Sequence, residues 1–158
     1  MSSRVLVALR VRATPERAFD VFTGEIALWW KPNGLFAFSR GEAGTLAFEP
    51  GEGGRFTETK ADGAVFEIGR ITAWEPGVRL AFGWRPESFA ADQSTRVEVR
   101  FERVGEETRV TVEHFGWEEI PDRHAARHGF PLTVFLQREA EWWQVLLGAL
   151  AARVSWDR

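Results

Sequence analysis

The chain has 158 residues, 44% of them hydrophobic and 27% charged, which fits one globular domain with a single core. Its net charge of -3 and its mixture of acids and arginines argue against nucleic acid as a partner, because phosphate binding needs clustered basic residues. Cysteine is absent from the sequence, so neither a disulfide nor a thiolate metal site can form, as is common in cytoplasmic proteins.

The apolar runs are too short for export or for membrane insertion. Residues 5–9 are shorter than a signal-peptide core and lead directly into Arg10 and Arg12. The longest run, around residues 145–152, falls well short of the ~20 residues that a membrane-spanning helix needs. We therefore expect a soluble, cytoplasmic protein without a membrane span.

The N-terminal part of the chain predicts one strand and two short helices. Residues 4–13 place apolar side chains on one face and arginines on the other, as in a half-buried strand. Thr-Pro-Glu at 14–16 then provides an N-cap, a first helical residue and a first-turn acid, predicting a helix to about residue 23. A second helical segment, 25–30, ends before the Pro-Asn-Gly turn at 32–34.

The middle of the chain predicts six more strands, because turn sequences recur about every 8 to 12 residues, as in an antiparallel meander. The predicted strands are 45–49, 55–60, 65–74, 79–85, 95–103 and 108–115. The glycine-rich segment at 51–54 is interpreted as a hairpin turn, since it lacks the Lys and Ser/Thr of a phosphate loop and precedes a strand.

The later strands alternate so that one face should be concave and directed inward. The inward residues are Leu80, Phe82 and Trp84, then Val97, Val99 and Phe101, then Val110, Val112 and His114. After Pro131 the period changes to 3.6, which predicts a long helix that packs on this face. The expected fold class is α+β, with a seven-stranded antiparallel sheet wrapped around a long C-terminal helix and two short helices between strands 1 and 2.

This order of elements and several short sequences resemble the activator of Hsp-90 ATPase homologue family of the START-like (SRPBCC) superfamily, which has the helix-grip, Bet v 1-like fold. The similar segments are TPERAF at 14–19, WW at 29–30, GGRF at 53–56, GRI at 69–71 through EP at 75–76, RL at 79–80 with Trp84, and VEH at 112–114 through GW at 116–117. They span nearly the whole chain, so residues 1–158 are expected to form one such domain.

The resemblance implies a cavity between the sheet and the last helix, which relatives use for lipids, sterols, polyketides or plant hormones. The fold does not select the ligand, because chemistry depends on the residues of the site. The eukaryotic cochaperone of this family also has a separate chaperone-binding domain, for which this chain is too short. That departure weakens a direct transfer of chaperone activity.

Aromatic and polar residues expected at the cavity define a candidate ligand site. Consecutive tryptophans on a helix point about 100° apart, so one of each pair should be core and the other should face the cavity. Trp143 is expected in the core, and Phe36 and Phe38 near the cavity mouth. The predicted ligand-contacting residues are Trp29, Trp30, Phe36, Phe38, Glu67, Trp84, His114, Phe135 and Trp142.

Two polar members of this set have alternative interpretations. His114 lies on the inward face and could donate a hydrogen bond to a ligand, but such a residue is also commonly satisfied by a protein neighbour. Glu67 could face the cavity or the outside, because a bulge near Gly69 would reverse its orientation.

No catalytic or metal-binding motif stands out. His124 and His128 have the i, i+4 spacing of zinc ligands, but no third ligand is evident, and a solvated helix explains them more simply. No serine lies in a nucleophile-elbow sequence. We therefore predict no cofactor, no metal and no assigned catalytic residue.

Three functional hypotheses remain open. The preferred one is non-catalytic binding of a small hydrophobic or aromatic molecule by a monomer or homodimer. The second is a protein-interaction module that modulates a chaperone ATPase. The third is a cyclase, dehydratase or hydrolase acting on an aromatic or polyketide-like substrate, with His114 or Glu67 as the acid or base.

Overall fold

A computed structural model of the chain describes residues 4–121 and 123–155. The strands are β1 (Arg4–Val11), β2 (Thr45–Phe48), β3 (Arg55–Thr59), β4 (Val65–Glu75), β5 (Arg79–Trp84), β6 (Thr95–Val104) and β7 (Glu107–Phe115). The helices are α1 (Pro15–Gly24), α2 (Ile26–Trp29) and α3 (Leu132–Val154), and short 3-10 turns occur at Gly34–Phe36, Trp117–Glu119 and Ala125–Arg127.

All seven strands form one antiparallel sheet in the order β1-β7-β6-β5-β4-β3-β2. β1 therefore closes the sheet beside the last strand, and the hairpins from β2 to β7 run as a meander. The long helix α3 lies across this sheet, with most of its sheet contacts to β1. This architecture confirms the predicted α+β helix-grip fold.

The first helix begins as the sequence predicts. The Thr14 hydroxyl accepts a hydrogen bond from the Arg17 amide at 3.1 Å, and Pro15 occupies the first helical position. Helix α1 buries Ala18, Phe19 and Phe22, and α2 follows it after one residue. None of the described helices is long and apolar enough to span a membrane.

The core forms between α3 and the inner face of the sheet. The alternating residues predicted to point inward from β5, β6 and β7 are all buried. The helix contributes a matching stripe at i, i+4 and i+7 spacings, so its sheet-facing side is covered along its whole length. The buried residues of α3 are Phe135, Glu139, Trp142, Trp143, Leu146, Leu147, Leu150 and Val154.

The outer face of the sheet is covered by charge instead of apolar groups. Ion pairs of alternating charge connect five neighbouring strands in the spatial order β1, β7, β6, β5 and β4. The residues that form them are Arg4, Glu113, Arg100, Glu98, Arg79 and Glu75. The hydrogen bond from Arg100 to Glu113, at 2.7 Å, and the nearby Glu98 raise the pKa of the Arg100 guanidinium. Apolar ligand binding is therefore expected on the opposite, inner face.

A bulge in β4 brings two backbones into contact. Phe56 pairs with Gly69 and Thr57 pairs with Glu67, so Ile68 is the additional residue. A Cβ placed on Gly69 would lie 2.1 Å from the carbonyl oxygen of Gly83 on β5. Glycine is required at 69 because this neighbour is backbone and cannot rotate away.

We predict that Gly69→Ala lowers the free energy of unfolding by about 1–3 kcal/mol, because the methyl group forces β4 and β5 apart. Gly83→Ala is the matched control, since its Cβ would meet its nearest atom at an ordinary 3.6 Å. Urea unfolding of both variants measures the difference. Equal stability of the two variants would contradict the close approach at Gly69.

Candidate ligand site

An aromatic cluster occupies the inner end of the sheet where β5 finishes. Trp84, the last residue of β5, is almost fully buried and stands at its centre. Most neighbouring rings meet it edge-on or tilted, which are favourable arrangements for aromatic pairs. Trp84 contacts Phe38 at 4.7 Å, His114 at 4.8 Å, Trp143 at 5.9 Å, Trp142 at 6.0 Å and Trp30 at 6.1 Å between ring centroids.

The larger cavity at this cluster has a volume of about 690 Å³ and opens between three loops. These loops follow α2, β5 and β7, at residues 35–40, 84–88 and 117–128. Its aromatic walls are Phe36, Phe38, Trp84 and Trp117, and its polar groups are Ser39, Arg40, Glu87, Ser88 and His128. The arrangement combines flat apolar walls with a polar rim.

Glu87 joins two of the loops beside this cavity. Its carboxylate accepts a hydrogen bond from the Arg40 amide at 3.0 Å and lies 3.6 Å from the Arg40 guanidinium. Its own amide donates to the Phe38 carbonyl at 2.7 Å. The loop that carries Phe38 is thereby attached to the loop that follows β5.

A smaller cavity of about 190 Å³ shares the segment 36–39 with the larger one. Its aromatic lining consists of Trp30, Phe36, Phe38 and Trp142. Glu58, on β3, also lines this cavity and is only 3% exposed. The smaller cavity therefore has a carboxylate within an aromatic wall.

Glu58 and Lys60 hold the loop that borders the smaller cavity. The Glu58 carboxylate accepts hydrogen bonds from the Ser39 hydroxyl and from the Gly44 amide, the latter at 2.9 Å. The Lys60 ammonium donates to the Ser39 hydroxyl at 2.9 Å and to the backbone carbonyls of residues 40 and 42 at 2.8 and 2.6 Å. Five hydrogen bonds thus fix residues 39–44 against the end of β3 and Lys60, which follows it.

His114 has protein partners on both ring nitrogens. The Thr95 hydroxyl donates to the Trp84 carbonyl at 3.0 Å, so its oxygen accepts from Nε2 of His114 at 2.8 Å. On the other side, Nδ1 lies 3.1 Å from Oε1 of Glu139, without hydrogen-bond geometry. A protein neighbour therefore satisfies one ring nitrogen of His114, and the other faces the Glu139 carboxyl group.

His114 and Glu139 are both 0% exposed and lie side by side in the core. An isolated buried charge costs several kcal/mol, so the close approach of these two polar side chains limits the cost of burying them. The rings of Trp84 and Trp117 lie over His114 and separate it from the larger cavity, which they line.

The two tryptophan pairs divide between core and cavity. Trp29 is 2% exposed, and its indole nitrogen donates to the Val21 carbonyl at 3.2 Å, whereas the half-buried Trp30 lines the smaller cavity. Trp143 is fully buried in the core, and Trp142 lines the smaller cavity while donating to the Lys31 carbonyl at 2.9 Å. Trp29 lines neither cavity.

Glu67 and Phe135 also lie outside the cavity walls. Glu67 lies on the outer face, because the β4 bulge places it beside Arg70, with which it forms a 3.1 Å ion pair. This corrects the alternative in which Glu67 faces the cavity. Phe135 is fully buried, with its ring 5.6 Å from Phe36 and 4.5 Å from Trp117, and so supports two wall residues from behind.

The segment with His124 and His128 is not a solvated helix, and that prediction is wrong. It forms a 3-10 turn in which Nδ1 of His124 accepts from the Ala126 amide at 3.0 Å. His128 has a left-handed backbone, with φ of 53°, and its ring contacts the Leu35 carbonyl. Within residues 4–121 and 123–155, no three His, Asp or Glu side chains cluster as metal ligands would.

Sequence reasoning did not select Glu58, Glu139 or Trp117 for the site. Glu139 was detectable, because it interrupts the apolar stripe midway between Phe135 and Trp143 at i, i+4 spacing. Glu58 could not be identified from the sequence in this way. Whether it points inward depends on the register of its strand in the sheet, which the sequence pattern alone does not determine. The role of Trp117 depends on how the loop after β7 folds back.

Comparisons with solved structures identify relatives of the same fold. An anthrahydroquino-γ-pyrone synthase is 30% identical, with a TM-score of 0.57 and coverage of 94% of this chain and 95% of the other. The Aha1 dimer from Colwellia psychrerythraea is 18% identical, with a TM-score of 0.61 and 96% coverage of both chains. An HSP90 activator from Plasmodium falciparum is 20% identical, with a TM-score of 0.61 and coverage of 92% and 91%.

No curated protein sequence gives a significant match. The profile of one protein family, however, matches residues 12–155, from the end of β1 to the end of α3. This range contains both cavities and the pair of buried ionisable residues. The chain belongs to the family of activator of Hsp90 ATPase homolog 1-like proteins.

Proposed function

We propose that the chain binds a small, flat aromatic or hydrophobic molecule in the larger cavity. The observation that carries this proposal is the volume of about 690 Å³ with four aromatic walls. Ligand sites for small molecules are typically ~300–1,000 Å³, mostly apolar, and carry a few polar groups that orient the ligand. Burial of the ligand against the apolar walls would supply affinity, and the polar rim would supply orientation.

The rim indicates which part of the ligand remains near solvent. Arg40 is almost fully exposed, with 97% of its side chain accessible, and it lies opposite Glu87 and Ser88. A ligand with a polar substituent at one end could place that end at the rim and its ring system against the aromatic walls. In this proposal His114 does not contact the ligand, and it packs behind Trp84 and Trp117, which line the cavity.

Blocking the larger cavity should abolish binding without removing core packing. We predict that Ser88→Trp weakens binding of the aromatic dye anilinonaphthalene sulfonate by about tenfold or more, because an added indole fills the space. Ser94→Trp is the matched control, since Ser94 is exposed on the same β5–β6 loop and lines neither cavity. Dye fluorescence titration gives both affinities, and equal affinities would contradict the proposed site.

Acid–base catalysis on an aromatic substrate is a second candidate function. It is favoured by the 30% identity to a synthase whose name specifies an aromatic pyrone, and by the buried pair of His114 and Glu139. The tryptophans over His114 would have to shift for it to reach a substrate. Glu67 has no part in this candidate, because it lies on the outer face.

Catalysis and simple binding differ in what happens to a bound compound. If the chain only binds, a molecule recovered from the purified protein and incubated with fresh protein should keep its mass and chromatographic retention. A new product that forms with wild type but not with His114→Gln would establish catalysis.

Membership of the family also motivates a chaperone-related role. If the chain modulates Hsp90, adding the purified protein to Hsp90 should raise its rate of ATP hydrolysis above that with the same concentration of serum albumin. A coupled ATPase assay measures this rate. An unchanged rate, together with no co-precipitation of Hsp90, would remove the chaperone role and leave ligand binding unaffected.

A further inference from the structure

The smaller cavity differs from the larger one in that its carboxylate is buried, whereas Glu87 of the larger cavity is exposed and paired with Arg40. Four aromatic rings surround about 190 Å³, and a single carboxylate, that of Glu58, belongs to the wall. Among the described residues that line this cavity, Glu58 is the only charged one. A buried carboxylate beside aromatic faces is a costly arrangement unless a partner of positive charge compensates it.

The rings of this cavity are held in fixed orientations. Trp30 and Trp142 meet at 5.4 Å with their planes 85° apart, so they form two walls of a corner. Phe36 stacks on Trp142 at 5.0 Å with an interplanar angle of 13°. The indole nitrogen of Trp142 donates to the Lys31 carbonyl, which fixes the orientation of this ring.

The Glu58 carboxylate can still interact with a ligand. Its two hydrogen bonds, from Ser39 and Gly44, leave further lone pairs on both carboxylate oxygens. Lys60 approaches Glu58 only through the Ser39 hydroxyl, and its other two hydrogen bonds go to backbone carbonyls. Lys60 is thus engaged in holding the loop, and it does not form a direct ion pair with Glu58 among the described contacts.

We propose that the smaller cavity binds a small organic cation of the trimethylammonium type. Aromatic faces attract quaternary ammonium groups within about 6 Å of a ring centroid, and a carboxylate adds a direct Coulomb attraction. A metal ion would require several oxygen ligands, and only one carboxylate is available here. The volume of about 190 Å³ suits a compact ammonium head group.

Choline and its neutral isostere dimethylbutanol, in which carbon replaces nitrogen, test the role of charge directly. We expect calorimetric titration to show that choline binds about tenfold or more tightly than the neutral compound, because only choline gains the cation–π and Coulomb interactions. Glu58→Gln should remove most of this difference. Equal affinity of the two compounds, or no binding of choline, would overturn the proposal.

A blocked cavity provides a test that leaves the Glu58 hydrogen bonds in place. Ala43 is exposed and lines only the smaller cavity, whereas Ala61 is exposed and lines neither. Ala43→Trp should abolish choline binding, and Ala61→Trp should retain it. Retained binding in Ala43→Trp would place choline elsewhere and refute this site.

The proposals for the two cavities can be tested independently, because Ala43 does not line the larger cavity. Dye binding that persists in Ala43→Trp while choline binding is lost would support separate sites. Dye binding that is lost together with choline binding would instead show one continuous site and overturn a distinct cation cavity.

Discussion

The packing of α3 against the concave face of the sheet is the constraint on which the rest of the structure depends. A strip of residues from Phe135 to Val154 packs on the inner face of the sheet, and α1 adds Phe19 and Phe22 to the same core. Burial of apolar surface of this kind is the main favourable contribution to folding, at roughly 25 cal/mol per Å². The charged outer face cannot substitute for it, because exposed ion pairs contribute ~0–1 kcal/mol each.

The inner end of this interface is largely apolar, because its aromatic rings carry no hydroxyl groups. The chain has eight Trp, thirteen Phe and no Tyr, so the cluster around Trp84 offers faces and edges but few polar groups. Bulky, flat side chains with limited rotamers do not close every gap, and the two cavities lie where loops supply one wall. Among the described residues the buried ionisable groups are Glu58, His114, Arg127 and Glu139. Arg127 and His114 lie directly beside aromatic rings, those of Phe135 and Trp84.

Periodicity predicted most of the fold, because burial on one face produces a pattern that can be counted. The inward residues of β5, β6 and β7 and the stripe on α3 follow directly from it. The same reasoning could not place Glu67, whose orientation depends on the β4 bulge, or the segment at 124–128, which forms a 3-10 turn. It also missed Trp117, which lies on a loop whose contacts are distant in sequence, and Glu58, whose inward orientation depends on the register of β3.

The central claim is that the aromatic interior holds a small molecule, and native mass spectrometry of freshly purified protein tests it most directly. We expect a reproducible mass excess over the 17.9 kDa chain that disappears on denaturation and releases a hydrophobic or aromatic compound. A mass equal to that of the bare chain, together with no binding of aromatic dye to the larger cavity, would contradict the account and indicate that the interior serves packing alone.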